Sequence, residues 1–314
     1  DADTAMYRAK DAGKAGYKIY NDEMRERSVN LQRTEGDLRR AIEQEEFRVF
    51  YQPIVNLETG QIQEFESLIR WQHPERGLVF PDQFIDLAEE TGLIIPIGSW
   101  VLEESCRQII EWEKKMGLPL RISVNLSAKE LMHPFLVRKI EKVIGDSNID
   151  PAQLKLEVTE STVMGNTDAA LKTIKDLNQI GVRLSTDDFG TGYSSLSYLH
   201  LFPFERIKID RSFVGKMDAD MKSEAIIRSI MMLGQNLEID IVAEGIENEN
   251  QLWQLRSLGC KLGQGYLFSK AVPPAEIEEL LDEGLPFDFG EVESPFGFSS
   301  EFESKPSIKI DNLQ

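Results

Sequence analysis

Two strand-like runs, Phe47–Asn56 (FRVFYQPIVN) and Ile62–Trp71 (IQEFESLIRW), are joined by Leu57-Glu58-Thr59-Gly60, and everything after them alternates strand with helix. So short a connection admits only an antiparallel hairpin, because parallel neighbours need a crossover of roughly a dozen residues or more. Downstream, Arg121–Leu126, Leu154–Val158, Val182–Thr186, Arg206–Ile209, Ile239–Ala243 and Leu262–Tyr266 read as strands. Between and after them, Phe84–Glu90, Ser99–Met116, Asp168–Ile180, Lys222–Leu237, Asn250–Leu258 and Pro274–Glu283 read as helices. Ser127-Ala-Lys-Glu130 has the form of a capping box that opens a further helix. Eight strands in this order predict an α/β chain folded as a modified (β/α)8 TIM-type barrel with one antiparallel strand at its start.

The 314 residues suffice for one such barrel, which commonly takes about 250. A balance of 35 Lys+Arg against 54 Asp+Glu, net −19, argues against a groove for a nucleic-acid polymer or an anionic membrane surface. It leaves room for a small anionic ligand if metal ions supply positive charge. No apolar run approaches the roughly 18 residues that a bilayer requires, so the chain reads as soluble, with no membrane segment of its own. Cys106 and Cys260 have no CxxC spacing, and the N-terminus has no signal-peptide pattern. Both thiols read as core residues in a reducing cytoplasm, although a longer parent protein could carry a membrane anchor.

The run Arg183–Tyr193, RLSTDDFGTGY, ends a strand on two adjacent acids, Asp187 and Asp188, before a glycine-rich turn. Neighbouring carboxylates repel unless a cation or proton offsets them. Other strands also present polar groups: Glu66, Asn125, Glu157, Lys208, Glu244 and Gln264. Any one alone is most simply a satisfied polar residue at a barrel rim. Together they face the C-terminal mouth, where barrel active sites lie. Acids with an amide oxygen suit hard divalent ions, whereas zinc would recruit His or Cys, and His73, His133 and His200 are scattered.

The run EFESLIRWQHPERGLVFPDQFIDLAEETGLI, Glu64–Ile94, is followed in order by VNLSAKEL, LEVTES, DDFGTGYSSLSYL, IKIDRSFV, VAEGIE and GQGYLFSKAVP. This series resembles the EAL family of cyclic di-GMP phosphodiesterases over about Leu38–Glu283. The resemblance implies hydrolysis of cyclic di-GMP to linear pGpG by a dimeric barrel using Mg²⁺ or Mn²⁺ at a two-metal site, with Ca²⁺ inhibiting. By the same resemblance, Glu66, Asn125, Glu157 and Asp187 match ligands of the first metal, and Asp188 belongs to the second. Lys208 and Glu244 match residues that orient or deprotonate the attacking water, supported by Gln264. Glu160 matches the glutamate that holds the loop after DDFG, Arg70 one that meets a ligand phosphate, and Glu247 an acid near the guanine pocket. Residues 1–22 resemble the last helix and strand of a GGDEF domain. The expected organisation is that remnant, a linker helix over 23–37, the EAL domain over 38–285, and a poorly ordered phenylalanine-bearing tail over 286–314.

Two departures stand out. The name-giving motif reads Glu66-Ser67-Leu68, with Ser for Ala, and Ser67 is expected on the helix-facing side with its hydroxyl bonded to a carbonyl. Glu64 stands where the family often has Gly and is expected to tighten or crowd the strand entrance. A receptor that binds cyclic di-GMP without cleaving it, and a scaffold using only dimer contacts, are the competing readings; neither needs the full acid set.

Overall fold

The computed structural model describes residues 22–285 apart from 118, 166 and 191–200, together with Phe287 and Phe289. Of the stretch 1–22, read above as the GGDEF remnant, residues 1–21 lie outside the described residues, as does nearly all of the tail. Helix α1 (Asp22–Glu43) runs without a break through the expected linker, 23–37, and on past 38, where the EAL domain was expected to begin. Its last turns carry Leu38 and Ala41 into a buried cluster with Phe47, Trp71 and Phe84.

Strands β1 (Phe47–Asn56) and β2 (Ile62–His73) form the hairpin, antiparallel in register from Phe47 opposite Trp71 onward. A three-residue strand, β3 (Gly77–Val79), extends β2 on its outer edge. It escapes sequence reading because three residues hold no period. The chain then winds through α2 (Ile85–Thr91), α3 (Ile94–Met116), β4 (Ile122–Asn125), α4 (Ala128–Leu131), α5 (Leu136–Ser147), β5 (Leu154–Thr159), α6 (Glu160–Gly165), α7 (Thr167–Gln179) and β6 (Arg183–Phe189). After the undescribed stretch come β7 (Arg206–Ile209), α8 (Arg211–Val214), α9 (Met221–Leu237), β8 (Asp240–Glu244), α10 (Glu249–Ser257), β9 (Leu262–Gln264) and α11 (Pro274–Glu283).

The sheet order closes: β1 pairs with β9 at one side and with β2 at the other, making a ring of eight strands to which β3 is added. Strand β1 runs antiparallel to both ring neighbours, while β2 and β4–β9 are mutually parallel. The modified (β/α)8 barrel with a reversed first strand is therefore the observed fold. The predicted capping box is formed at Ser127 and Glu130.

The apolar core lies between barrel and helices. On one side Val124, Leu156 and Leu184 pack against Leu102, Ile140 and Ile174; on the other, Ile207, Ile241 and Ala243 pack against Ile227 and Leu252. The lumen is instead polar, with Glu64, Glu66, Ser123, Lys155, Glu157, Ser185, Arg206, Lys208 and Gln264 all buried. Side chains alternate across a strand. The residues two apart in the pairs Glu64/Glu66, Lys155/Glu157 and Arg206/Lys208 therefore stack in two inward layers. Phe287 and Phe289 close on Phe268, with ring centroids 6.0 and 5.3 Å from it, so the chain after α11 begins by folding back onto the barrel's outer shell. Among the described residues no helix is long and apolar enough to cross a membrane.

Candidate active site

The upper lumen layer is organised by one cation. Lys208 Nζ lies 2.7 Å from Glu157 Oε2, 2.7 Å from Glu244 Oε1, 3.1 Å from Glu66 Oε2 and 3.6 Å from Asp187 Oδ1. Four acids from β2, β5, β6 and β8 thus meet a lysine from β7, and register brings them level: Asn125 stands opposite Glu157, and Glu244 opposite Gln264. Asn125 Nδ2 donates to Glu66 Oε1 at 2.8 Å, and Gln264 Nε2 donates to Glu66 Oε2 at 2.8 Å. Gln264 Nε2 also donates to Gln52 Oε1, whose own amide donates to the Ser269 carbonyl.

Burial penalises every charge here, and the balance differs from group to group. The Lys208 ammonium has no exposed surface. Against that desolvation, Asp187, Glu157, Glu244 and Glu66 hold it firmly protonated. Glu66 stays below the ordinary carboxylate range despite burial, because Lys208, Gln264 and Asn125 all favour its anion. Glu157 is pushed up to about 8 by burial and by its acidic neighbours Glu66 and Asp187, with Lys208 pulling the other way. Burial raises Glu244 as well. One lysine cannot neutralise four acids, so the layer has a deficit of positive charge.

Asp188 sits in a left-handed backbone conformation, φ 54°, which turns it out of the β6 ladder while its N–H donates to Asp187 Oδ1 at 2.9 Å. Burial, Asp187 and Asp210 raise its carboxyl. Glu160, at the start of α6, accepts from the N–H of Gly190, the last residue of DDFG, at 3.4 Å; the loop it was expected to hold, 191–200, lies outside the described residues.

Above this floor opens a mouth of about 770 Å³ lined by Glu66, Arg70, Asn125, Asp187, Asp188, Glu244, Glu247 and Gln264. Lys208 and Glu157 form the floor beneath. The Arg70 guanidinium lies between the Phe50 and Phe80 rings, 5.5 and 4.9 Å from their centroids, and Phe80 and Tyr266 remain exposed at the rim. Sequence reasoning missed Gln52 and this aromatic frame. Gln52 lies on the reversed strand, where the strand-end rule does not apply.

The two departures resolve differently. Ser67 does face the helices, but it accepts a hydrogen bond at 2.8 Å from Ser105 Oγ of α3 rather than bonding to a carbonyl. Glu64 does not crowd the strand entrance. It lies in the lower lumen layer, where its Oε2 accepts from Lys155 Nζ and Arg206 Nη1, each at 2.7 Å. Two residues before Glu66 on one strand is the same face, so this placement follows from the pleat. The Arg206 and Lys155 cations outweigh burial and keep Glu64 ionised.

The donor set fits hard divalent ions: it is all oxygen apart from Lys208, and Glu157 Oε1 is buried with no hydrogen-bond partner. Among the described residues no three His, Cys, Asp or Glu side chains are already gathered as a metal cluster; here the acids close on Lys208.

The EAL domain model matches residues 35–271. The chain is 42% identical over 277 residues, 88% of its length and 40% of the relative's, to the bifunctional diguanylate cyclase/cyclic di-GMP phosphodiesterase MucR of Pseudomonas aeruginosa. It is 38% identical over 277 residues, 88% of this chain and 42% of the relative, to the cyclic di-GMP phosphodiesterase PdeR of Escherichia coli. Among solved structures, the PaMucR phosphodiesterase in complex with c-di-GMP superposes with a TM-score of 0.76 at 43% identity, covering 78% of this chain and 99% of that one. The chain spans between a third and two fifths of the full-length relatives it matches first.

Proposed function

The chain belongs to the EAL domain family, and from that premise we propose that it hydrolyses one phosphodiester of cyclic di-GMP, giving linear pGpG. The observation that carries this reading is the convergence of Glu66, Glu157, Asp187 and Glu244 on Lys208 beneath an open mouth that also holds Arg70. A receptor without turnover has no use for that whole set, and its assembly is costly because the acids repel.

In this reading Glu66, Asn125, Glu157 and Asp187 hold one Mg²⁺ or Mn²⁺ and Asp188 contributes to a second. When bound, the ions supply Lewis-acid polarisation of the phosphate and a more acidic water. Lys208 fixes Glu157 and Glu244 in place and adds positive charge where the phosphoryl oxygens become more negative. Glu244, held 2.7 Å from Lys208 Nζ at the edge of the mouth, takes the proton of the attacking water. Water adds to phosphorus, the bond to one ribose 3′-oxygen breaks, and that oxygen takes one proton from solvent to leave as the new hydroxyl. Gln264 and Gln52 hold Glu66 from the far side. Glu160 steadies the loop after Asp188. Arg70, its planar guanidinium packed against the Phe50 and Phe80 rings, meets a phosphate, and Glu247 faces the guanine edge.

The same reading takes Ca²⁺ as an inhibitor, a homodimer as the working state, and the cytoplasm as the location. It also takes 1–22 as the end of a GGDEF domain, a reading supported by the bifunctional name of MucR. The test is to incubate the protein with cyclic di-GMP and Mg²⁺ or Mn²⁺, with EDTA and Ca²⁺ controls, and to separate the nucleotides. Wild type should form pGpG only with the activating ions, and Glu157→Gln or Asp187→Asn should abolish it. Intact cyclic di-GMP together with calorimetric binding would replace this function with a receptor.

A further inference from the structure

Outside the mouth, the wall of the barrel contains a second cavity, of about 180 Å³, between β4, β5 and helices α3, α4 and α5. Its sides are Leu102, Val124, Leu126, Leu136, Ile140 and Leu156. Its lining holds one acid, beside the polar side chains of Ser99, Asn125, His133 and Lys139. Glu130 lines the cavity at 7% exposure. Its Oε2 is committed to the capping box, accepting from the Ser127 N–H at 3.0 Å and the Ser127 hydroxyl at 2.5 Å. Among the described residues its Oε1 accepts no hydrogen bond. That oxygen lies over Gly98, where an added Cβ would sit 1.7 Å from it, so only glycine at 98 leaves the carboxylate its place in the wall. The exposed ring of Phe135 and the side chains of His133 and Lys139 stand at the same cavity, with Lys139 ion-paired to Glu103.

An apolar cavity of about 150 Å³ is large enough to hold benzene. An acid whose Oε1 accepts no hydrogen bond adds a directional anchor that a ring alone would leave unused. We propose that this cavity is a binding site for a small aromatic amine: one ring among the aliphatic side chains, with the ammonium donating to Glu130 Oε1. Burial holds the Glu130 carboxyl up at about 7, which a bound cation would offset. Asn125, which holds Glu66 on its other side, forms part of the cavity wall, so the site adjoins the mouth without sharing its acids.

The experiment is a titration of the intact chain with benzylamine, followed by methyl NMR of Ile95, Leu102, Leu126 and Ile140, with toluene and benzoate as comparison probes. This readout does not depend on any nucleotide turnover, so it can fail or succeed independently of the phosphodiesterase. Saturable shifts at those methyls are expected, with benzylamine bound about tenfold more tightly than toluene and benzoate not bound. Glu130→Gln keeps the capping box chemistry and should bring benzylamine and toluene to near parity. Ile140→Trp fills the cavity and Ser99→Trp covers its wall from α3; either should abolish the shifts, and the second does so without altering the buried core. Absence of saturable shifts in wild type, unchanged shifts in Ser99→Trp, or an unchanged preference in Glu130→Gln would each overturn the proposal.

Discussion

Lys208 Nζ and Glu157 Oε2 lie 2.7 Å apart at the floor of the barrel mouth, both essentially without exposed surface. This pair sets how the upper layer responds to loss of its cation. Lys208→Met leaves Glu66, Glu157, Asp187 and Glu244 without a counter-charge. Breaking a buried pair in this way costs about 3–5 kcal/mol. The variant should melt well below wild type in EDTA and regain part of the loss in Mn²⁺, because a dication offsets the same acids. Equal melting temperatures with and without Mn²⁺ would contradict a metal-binding role for this layer.

The lower layer makes a separate prediction. Glu64 is the shared anion of Lys155 and Arg206, all three buried. Glu64→Gln should destabilise the fold by about 3–5 kcal/mol in chemical denaturation. Turnover per folded molecule should stay within a few-fold of wild type, since the layer does not reach the mouth. A selective loss of turnover at full stability would show that Glu64 acts on the chemistry instead.

Ser67 and Ser105 isolate the altered position of the name-giving motif. Ser67→Ala leaves the fully buried Ser105 hydroxyl without its acceptor, at about 1–2 kcal/mol. Replacing both by Ala should recover most of that loss, and neither Ser67→Ala, nor Ser105→Ala, nor the double variant should alter turnover. A double-mutant cycle in urea checks the coupling.

Glu130 gives the clearest dependence on pH. Its folded carboxyl is raised to about 7 from 4.5, chiefly by burial. A raised acid contributes stability that is complete below the unfolded value and lost as pH rises through the folded one. Relative to Glu130→Gln, wild type should therefore lose about 3 kcal/mol between pH 4.5 and pH 7.5. Parallel stability curves for the two proteins would refute the shift.

Much of this was legible in the sequence because alternation along a strand is a local rule. The short loop at Leu57–Gly60 fixed the hairpin, and polar residues on successive strands, Glu66, Asn125, Glu157 and Glu244, could be assigned to one mouth. The pairing of Glu64 with Lys155 and Arg206 was not legible. The i, i+2 spacing puts each on the inward face, but which charges meet depends on the register between β2, β5 and β7. Gln52 was hidden by the reversed sense of β1, and Phe80 by its place just beyond a three-residue strand. The Glu130 cavity arises from the packing of α3 against α5, which no period within either helix encodes.

Hydrolysis is read from the mass of the product formed from cyclic di-GMP in ¹⁸O-water with Mg²⁺ or Mn²⁺. The account predicts pGpG carrying one ¹⁸O on its terminal phosphate, absent when EDTA is added. Intact cyclic di-GMP, or a linear product without the label, would contradict it.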